Sequence, residues 1–176
     1  MTLSFLFAGF GGQGILFAGK QLAKTAMYEN KQVSWLPSYG PEMRGGSANC
    51  SVIISDEEIG SPLVNYPDIL VALNRPSFDK FASKVKPGGT LLVDSTLVNV
   101  KCDRDDINVV YVPATGLAND NNISGAANVI MLGQILKLTK LFDYDTFLKF
   151  LVGAIPETNK ALIERNTLAL KLGFEY

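Results

Sequence analysis

Residues 3–8 form an apolar run broken only by Ser4, and it stops at Gly9-Phe10-Gly11-Gly12-Gln13-Gly14. A run that short and that apolar predicts a strand covered on both faces, as in a parallel sheet. Over residues 14–28 the apolar positions Ile15, Ala18, Leu22, Ala23, Ala26 and Met27 recur at helical spacing, with Lys20, Gln21, Lys24 and Thr25 opposite. Small Ala18 and Gly19 would let that helix lie close on a sheet. Strand, glycine turn and helix in that order commit the start of the chain to an α/β layer.

The alternation continues. Residues 32–36 predict a second strand, followed by a polar, glycine-bearing loop over 37–46. Ala48, Cys50, Val52 and Ile54 predict a third strand, and residues 69–73 a fourth. Phe78, Phe81, Ala82 and Val85 mark a short helix closed by Pro87-Gly88-Gly89, and strands follow at 90–93 and 108–112. Residues 126–139 are apolar almost all round, which suits a helix central in the core or in a subunit contact. Asp145 is expected to cap a helix carrying Phe147, Leu148, Phe150 and Leu151. A last helix after Pro156 is expected to turn Leu162, Leu168 and Leu172 inward, with Gly173 as its stop. The expected architecture is a three-layer αβα fold on a Rossmann-like, mostly parallel sheet, with room for a mixed edge strand and a helical C-terminal part. With 176 residues and no linker, it reads as a single domain over 1–176.

Composition narrows the chemistry. Apolar residues make up 47% and charged residues 19%, which excludes a disordered tail. Sixteen Lys and Arg against 17 Asp and Glu argue against a nucleic-acid-binding face. There is no histidine, which removes Ser–His–Asp and Cys–His catalysis and the usual zinc sites. No segment reads as a membrane span. Residues 1–10 lack the basic flank of a secretory signal, so a cytoplasmic setting with reduced thiols is expected.

Two segments could carry function. In the first, glycines allow a tight turn and close approach of a ligand, while the helix N-terminus offers N–H groups to an anion. Read alone, the loop is either a dinucleotide site or a device for close helix–strand packing. The dinucleotide reading needs an acid at the end of strand two to hold the ribose, and residues 35–38 contain none; Glu29 falls at the helix end. The second segment is Pro37-Ser38-Tyr39-Gly40-Pro41-Glu42-Met43-Arg44-Gly45-Gly46. Following strand two, it should project from the carboxyl edge of the sheet beside the first loop, where open α/β sheets bind ligands. Arg44, followed by Gly45 and Gly46, suits a phosphate or carboxylate; the alternative is an ion pair to Glu42 or to a neighbouring subunit. Asn74 and Asp94, at strand ends, could contribute or could be cap and turn formers.

Both segments, with Val52-Ile53-Ile54-Ser55, Val85-Lys86-Pro87-Gly88-Gly89 and Asn128 followed by Leu132-Gly133, resemble the gamma subunit of 2-oxoacid:ferredoxin (acceptor) oxidoreductases over essentially the whole chain. The likeness is greatest to the 2-oxoglutarate branch, with pyruvate and branched-chain enzymes as close relatives. It implies an oxidoreductase that converts a 2-oxoacid to acyl-CoA, CO₂ and reduced ferredoxin, using thiamine diphosphate, iron–sulfur clusters and coenzyme A. It also implies alpha and beta partner subunits, with room for a ferredoxin-like delta subunit, and ferredoxin or another acceptor reached through the complex. In this reading Gly9, Gly11, Gly12, Gln13, Gly14, Tyr39, Glu42, Arg44, Gly45 and Gly46 line a cofactor site shared with those partners, facing coenzyme A or the thiamine-bearing subunit.

The chain itself is then expected to hold no catalytic residue, no metal and no cofactor alone. Thiamine sites of the family use a Gly-Asp-Gly turn and a distant Asn-Asn; Asn121-Asn122 is present without any Gly-Asp-Gly and reads as a turn. Cys50 and Cys102 are too few for a [4Fe–4S] cluster, which needs four thiolates. Cys50 reads as a small core residue. Two other readings compete: a free-standing NAD(P)-binding Rossmann-like oxidoreductase, with Tyr39 as an acid, and a structural assembly protein.

Overall fold

The computed structural model describes residues 1–38 and 47–176, which fall into two compact units, Met1–Val112 and Pro113–Tyr176. The first holds a six-stranded mixed sheet. Its elements run β1 (Thr2–Phe10), α1 (Ile15–Tyr28), β2 (Gln32–Ser38), β3 (Ser47–Ser55), β4 (Ile69–Ala72), α2 (Arg75–Phe81, extended by a 3₁₀ turn, Ala82–Lys84), β5 (Thr90–Asp94) and β6 (Asn108–Val112). The strand order is β2-β3-β1-β4-β5-β6. β1, β4, β5 and β6 pair in parallel, whereas β3 runs antiparallel to both β1 and β2. The mixed pairing therefore lies on the β2 side, with the reversed strand one place in from the edge.

Alternation along β1 decides what each face meets. Leu6 and Ala8 join Leu70, Ala72, Leu91 and Val93 under Phe78 and Phe81 of α2. Phe5 and Phe7 point the other way and lie opposite Val52 and Cys50 of β3. There α1 comes so close that a Cβ on Gly19 would stand 2.5 Å from Cys50 Sγ. In this unit α1 and α2 thus cover opposite faces, the three-layer arrangement expected. α2 starts where Asn74 Oδ1 accepts from Ser77 N at 2.8 Å, with a proline in its first turn.

The amino edge is tied by Asp68. Its carboxylate accepts from Ser4 N (2.8 Å), Ser4 Oγ and Lys86 Nζ (2.8 Å). Burial alone would raise the Asp68 pKa, but the hydrogen bonds from Lys86 and Ser4 outweigh it and hold the carboxyl below its ordinary value. Lys31 and the chain's amino group likewise draw Asp56 down to about 2. Groups whose pKa is lowered in the fold stabilise it above the unfolded value, roughly 4, and that stabilisation is lost as pH falls through the folded pKa. Thermal melts should therefore be flat above pH ~5 and fall from about pH 4 downward. Asp68→Asn should lower the midpoint at neutral pH and make the acid decline shallower; an unchanged profile would assign no role to the tie.

The second unit is helical: α3 (Ala114–Asp120), α4 (Ala127–Thr139), α5 (Tyr144–Gly153) and α6 (Lys160–Glu175). α4 is buried without interruption over residues 128–136, as its all-round apolar sequence demands. Asn121 caps α3 and Asn122 follows at φ 58°, so the Asn-Asn pair is a turn.

Three local expectations are corrected here. The cap of α5 is Asp143, whose carboxylate accepts from Thr146 N at 3.1 Å; Asp145 lies in the first turn. Gly173 does not stop α6 but lies inside it, pressed on α4, where a Cβ would stand 1.8 Å from Ile130 O. The buried stripe of α6 is Asn166, Ala169, Leu170 and Gly173, while Leu162, Leu168 and Leu172 are half-buried. Small residues face α4 because the helices cross at backbone distance. Gly133 of α4 faces Leu170 O there, and Gln134 Nε2 donates to Gly173 O at 2.6 Å.

Candidate functional site

From β1 the chain first builds leftward through β2 and β3, then returns to the right of β1 with β4. That reversal is a topological switch point, and in open α/β sheets the crevice at its carboxyl edge is where ligands bind. The glycine loop stands at this point. Gly12 (φ 95°) and Gly14 (φ 73°) take left-handed conformations that turn β1 into α1. Gly14 is the N-cap, no side chain among the described residues caps α1, and its first turn carries no acid. Such a helix start is the kind of place where backbone N–H groups can meet an anion. Among the described residues nothing lies within 4 Å of where a Gly12 Cβ would be, so they leave this part of the loop open.

The other loop residues work inward. Gln13 Oε1 accepts from Phe10 N at 2.6 Å, and Gln13 Nε2 donates to Leu73 O at 3.0 Å. This one amide fastens the end of β1 to the end of β4 across the switch point. Gly9 makes room for it: a Cβ there would stand 2.6 Å from Gln13 Oε1 and 2.8 Å from Ile15 Cδ1. The half of the motif that could touch a ligand is Gly11, Gly12 and Gly14.

A cavity of about 280 Å³ opens beside the cradle, lined by Phe10, Leu16 and Phe17, the loop glycines, Ser38 and Ala48. Sequence patterning did not single out Phe10 or Phe17. Their signal was an aromatic residue inside a glycine loop and a second one breaking the polar side of α1.

Ser38 pairs with Asn49 and Phe10 with Ser47, so β2 ends and β3 begins at the same carboxyl edge as the loop. Tyr39, Glu42, Arg44, Gly45 and Gly46 lie outside the described residues; the strands that carry them end and begin at the site. Asn74 and Asp94 have structural tasks at this edge, Asn74 capping α2 and Asp94 Oδ1 accepting from Thr96 N at 3.1 Å. Asn74 Nδ2 and Ser77 Oγ are buried with no partner among the described residues.

Cys50 is buried under α1, its Sγ 3.5 Å from Ile15 O, and burial pushes its thiol up to about 12. It is an inert core residue. Cys102 lies elsewhere, between β5 and β6, where its N–H donates to Tyr111 Oη at 2.8 Å.

A mixed six-stranded sheet whose glycine turn opens α1 at the switch point defines an open-sheet α/β domain. Residues 4–176 match the pyruvate ferredoxin/flavodoxin oxidoreductase family, and the chain belongs to it. It is 39% identical to the 2-oxoglutarate synthase subunit KorC of Methanocaldococcus jannaschii over 171 residues, 96% of this chain and 90% of that one. It is 43% identical to the ketoisovalerate oxidoreductase subunit VorA of Methanothermobacter thermautotrophicus over 171 residues, again 96% of this chain. The chain spans only about a third of VorA, 35% of its length. The gamma subunit of a keto/oxoacid ferredoxin oxidoreductase from Geobacter sulfurreducens superposes with a TM-score of 0.86 at 33% identity, covering 99% of this chain and 95% of that one. A 2-oxoglutarate:ferredoxin oxidoreductase from Magnetococcus marinus shares the fold, with a TM-score of 0.88 at 21% identity over 98% of this chain and 30% of that one. Among the described residues, no helix is long and apolar enough to cross a membrane.

Proposed function

We propose that this chain is the gamma-type subunit of a thiamine-diphosphate-dependent 2-oxoacid:ferredoxin oxidoreductase, acting in the cytoplasm with alpha and beta subunits. The observation that carries this is the family match over residues 4–176, with KorC aligned along 90% of its length. The substrate class is a 2-oxoacid, with 2-oxoglutarate the leading candidate. The identity to VorA favours a second reading, a branched-chain 2-oxoacid.

The residues present set a division of labour. One buried thiol held protonated and one distant cysteine do not fit a cluster that needs four thiolates, so the electron path belongs to partner subunits. In the assembled enzyme thiamine diphosphate supplies the carbanion chemistry, the clusters carry electrons to ferredoxin, and coenzyme A accepts the acyl group. This chain contributes binding. Gly11, Gly12 and the first turn of α1 fit a phosphate group, because no described residue fills the space at Gly12 and no described side chain caps the helix. Arg44 would neutralise that group or a substrate carboxylate, with Tyr39, Glu42, Gly45 and Gly46 shaping the approach. Phe10 and Phe17, which line the cavity, would give the bound group an apolar wall. Gln13 and Gly9 hold the loop against β4 so that the cradle keeps its shape.

The test is co-expression with the partner subunits and viologen reduction with a panel of 2-oxoacids, thiamine diphosphate and coenzyme A. The complex should turn over, with the highest kcat/KM on 2-oxoglutarate, while the isolated chain should give no signal. A highest kcat/KM on ketoisovalerate would select the branched-chain reading, and dye reduction by the chain alone would overturn the subunit assignment.

A further inference from the structure

The β2 edge of the sheet is specified to the atom. Asp56 N donates to Met1 O, so in the β1–β3 ladder the even-numbered residues of β3 direct their N–H and C=O groups at β1. The odd-numbered ones therefore face β2. In the β2–β3 register these oppose Gln32, Ser34, Leu36 and Ser38, which turn inward to the ladder. Val33, Trp35 and Pro37 are left pointing outward. Outside the ladder no described residue makes a backbone–backbone bond to these three. The edge thus offers N–H donors at Val33 and Trp35 and carbonyl acceptors at Val33, Trp35 and Pro37.

Edge strands normally carry charges, particularly lysine, that discourage pairing. β2 reads Gln-Val-Ser-Trp-Leu-Pro-Ser and has no charged residue within it; Pro37 blanks one outward donor position. The flank of this edge is cationic and apolar. Lys20 Nζ stands 6.0 Å from the centre of the Trp35 ring, on the face covered by α1, and Lys24 follows one turn along. Neither lysine is in an ion pair among the described residues. Phe17 and Met27 on the same outer side of α1 are 39% and 64% exposed.

We infer that the outer edge of β2 pairs with an extended segment of another subunit of the enzyme, a segment that places an acidic side chain against Lys20 and Lys24. The proposal rests on the subunit reading above, which supplies the partner chains. Main-chain pairing at Val33 and Trp35 supplies the binding, and the lysines select the partner. A second copy of this chain fits worse. Antiparallel self-pairing through Val33 and Trp35 centres on Ser34 and sets Lys20 and Lys24 of both copies on one face of the joined sheet. That would bring the like charges of both copies together on one face, with no acid on α1 to offset them.

Hydrogen exchange on the co-purified complex and on the isolated chain tests this, read on peptides covering residues 32–38. Two amides, those of Val33 and Trp35, should exchange at least about tenfold more slowly in the complex than in the isolated chain. Lys20→Glu should leave the isolated chain's Tm unchanged and weaken its capture by the partner subunits about tenfold, most strongly at low salt. An intact, active complex in which those amides exchange as in the isolated chain overturns the inference and leaves the subunit reading standing. Protection in the isolated chain that vanishes on dilution, with a dimer in sedimentation, overturns it in favour of self-pairing. Wild-type capture of the Lys20→Glu chain overturns the acidic partner. Failure of the partner subunits to bind the wild-type chain at all overturns the subunit reading, and the inference with it.

Discussion

Replacing Gly173 by alanine is expected to lower the thermal midpoint of the chain by roughly 6–12 °C, from an overpacking cost of about 3 kcal/mol. At an ordinary position inside a helix the same change would stabilise by about 1 kcal/mol, because alanine is the better helix former. The sign reverses because the new methyl carbon would stand 1.8 Å from Ile130 O and 2.7 Å from its carbonyl carbon, both backbone atoms that no rotamer can move. α6 would have to lift off α4, breaking the Gln134 bond to Gly173 O as it went. Gly133→Ala should act in the same direction, since its Cβ would stand 2.3 Å from Leu170 O. Gly60→Ala is the control: no described residue lies within 4 Å of its Cβ position, and it should melt like the wild type or slightly higher. A Gly173→Ala chain that melts at or above the wild-type temperature would show that α4 and α6 do not cross at these two glycines.

Arg44→Ala is expected to leave folding and assembly intact and to lower turnover of the complex roughly ten- to hundredfold. Exposed charge pairs add only ~0–1 kcal/mol to stability, so the melting curve should scarcely move. A charge-assisted bond to a phosphate or carboxylate is worth ~1.5–3 kcal/mol, which sets the size of the rate loss. Arg44→Lys should recover part of it, because an ammonium keeps the charge without the two-pronged geometry. The placement of β2 and β3 supports this, since Ser38 and Ser47 stand at the edge where the glycine cradle opens. Normal turnover in the alanine variant would make Arg44 a solvated loop charge. Loss of assembly would make the loop part of the subunit interface.

How much could be read in advance follows from how local each feature is. β1, the glycine turn and α1 were legible because their signals lie within consecutive residues: an apolar run, glycines at fixed spacing, a helical stripe. Cys50 as a core residue and Asn121-Asn122 as a turn were legible for the same reason, one from alternation along β3 and the other from turn chemistry. The cap of α5 was misplaced by two residues because Asp143 and Asp145 are equally good caps by type. Only the β-region backbone at Asp143, with its bond to Thr146 N, distinguishes them.

The sequence by itself determined the α/β class, the order of elements, the glycine loop at the start of α1 and the family to which the chain belongs. Each is written in residue type and short spacing, which survive without knowledge of the partner surface. Tertiary structure alone decided the rest. Gln13 and Leu73 are 60 residues apart, and only the adjacency of β1 and β4 turned Gln13 from a loop residue into the clasp of the switch point. Gly173 resembles a helix stop until Ile130 is brought against it. β2 became an edge strand only because β3 inserted antiparallel between it and β1, and that same insertion directed Val33, Trp35 and Pro37 outward. In each case the deciding contact joins segments far apart in the chain, so its energy is absent from any local pattern and enters only when the packed fold brings the two surfaces together.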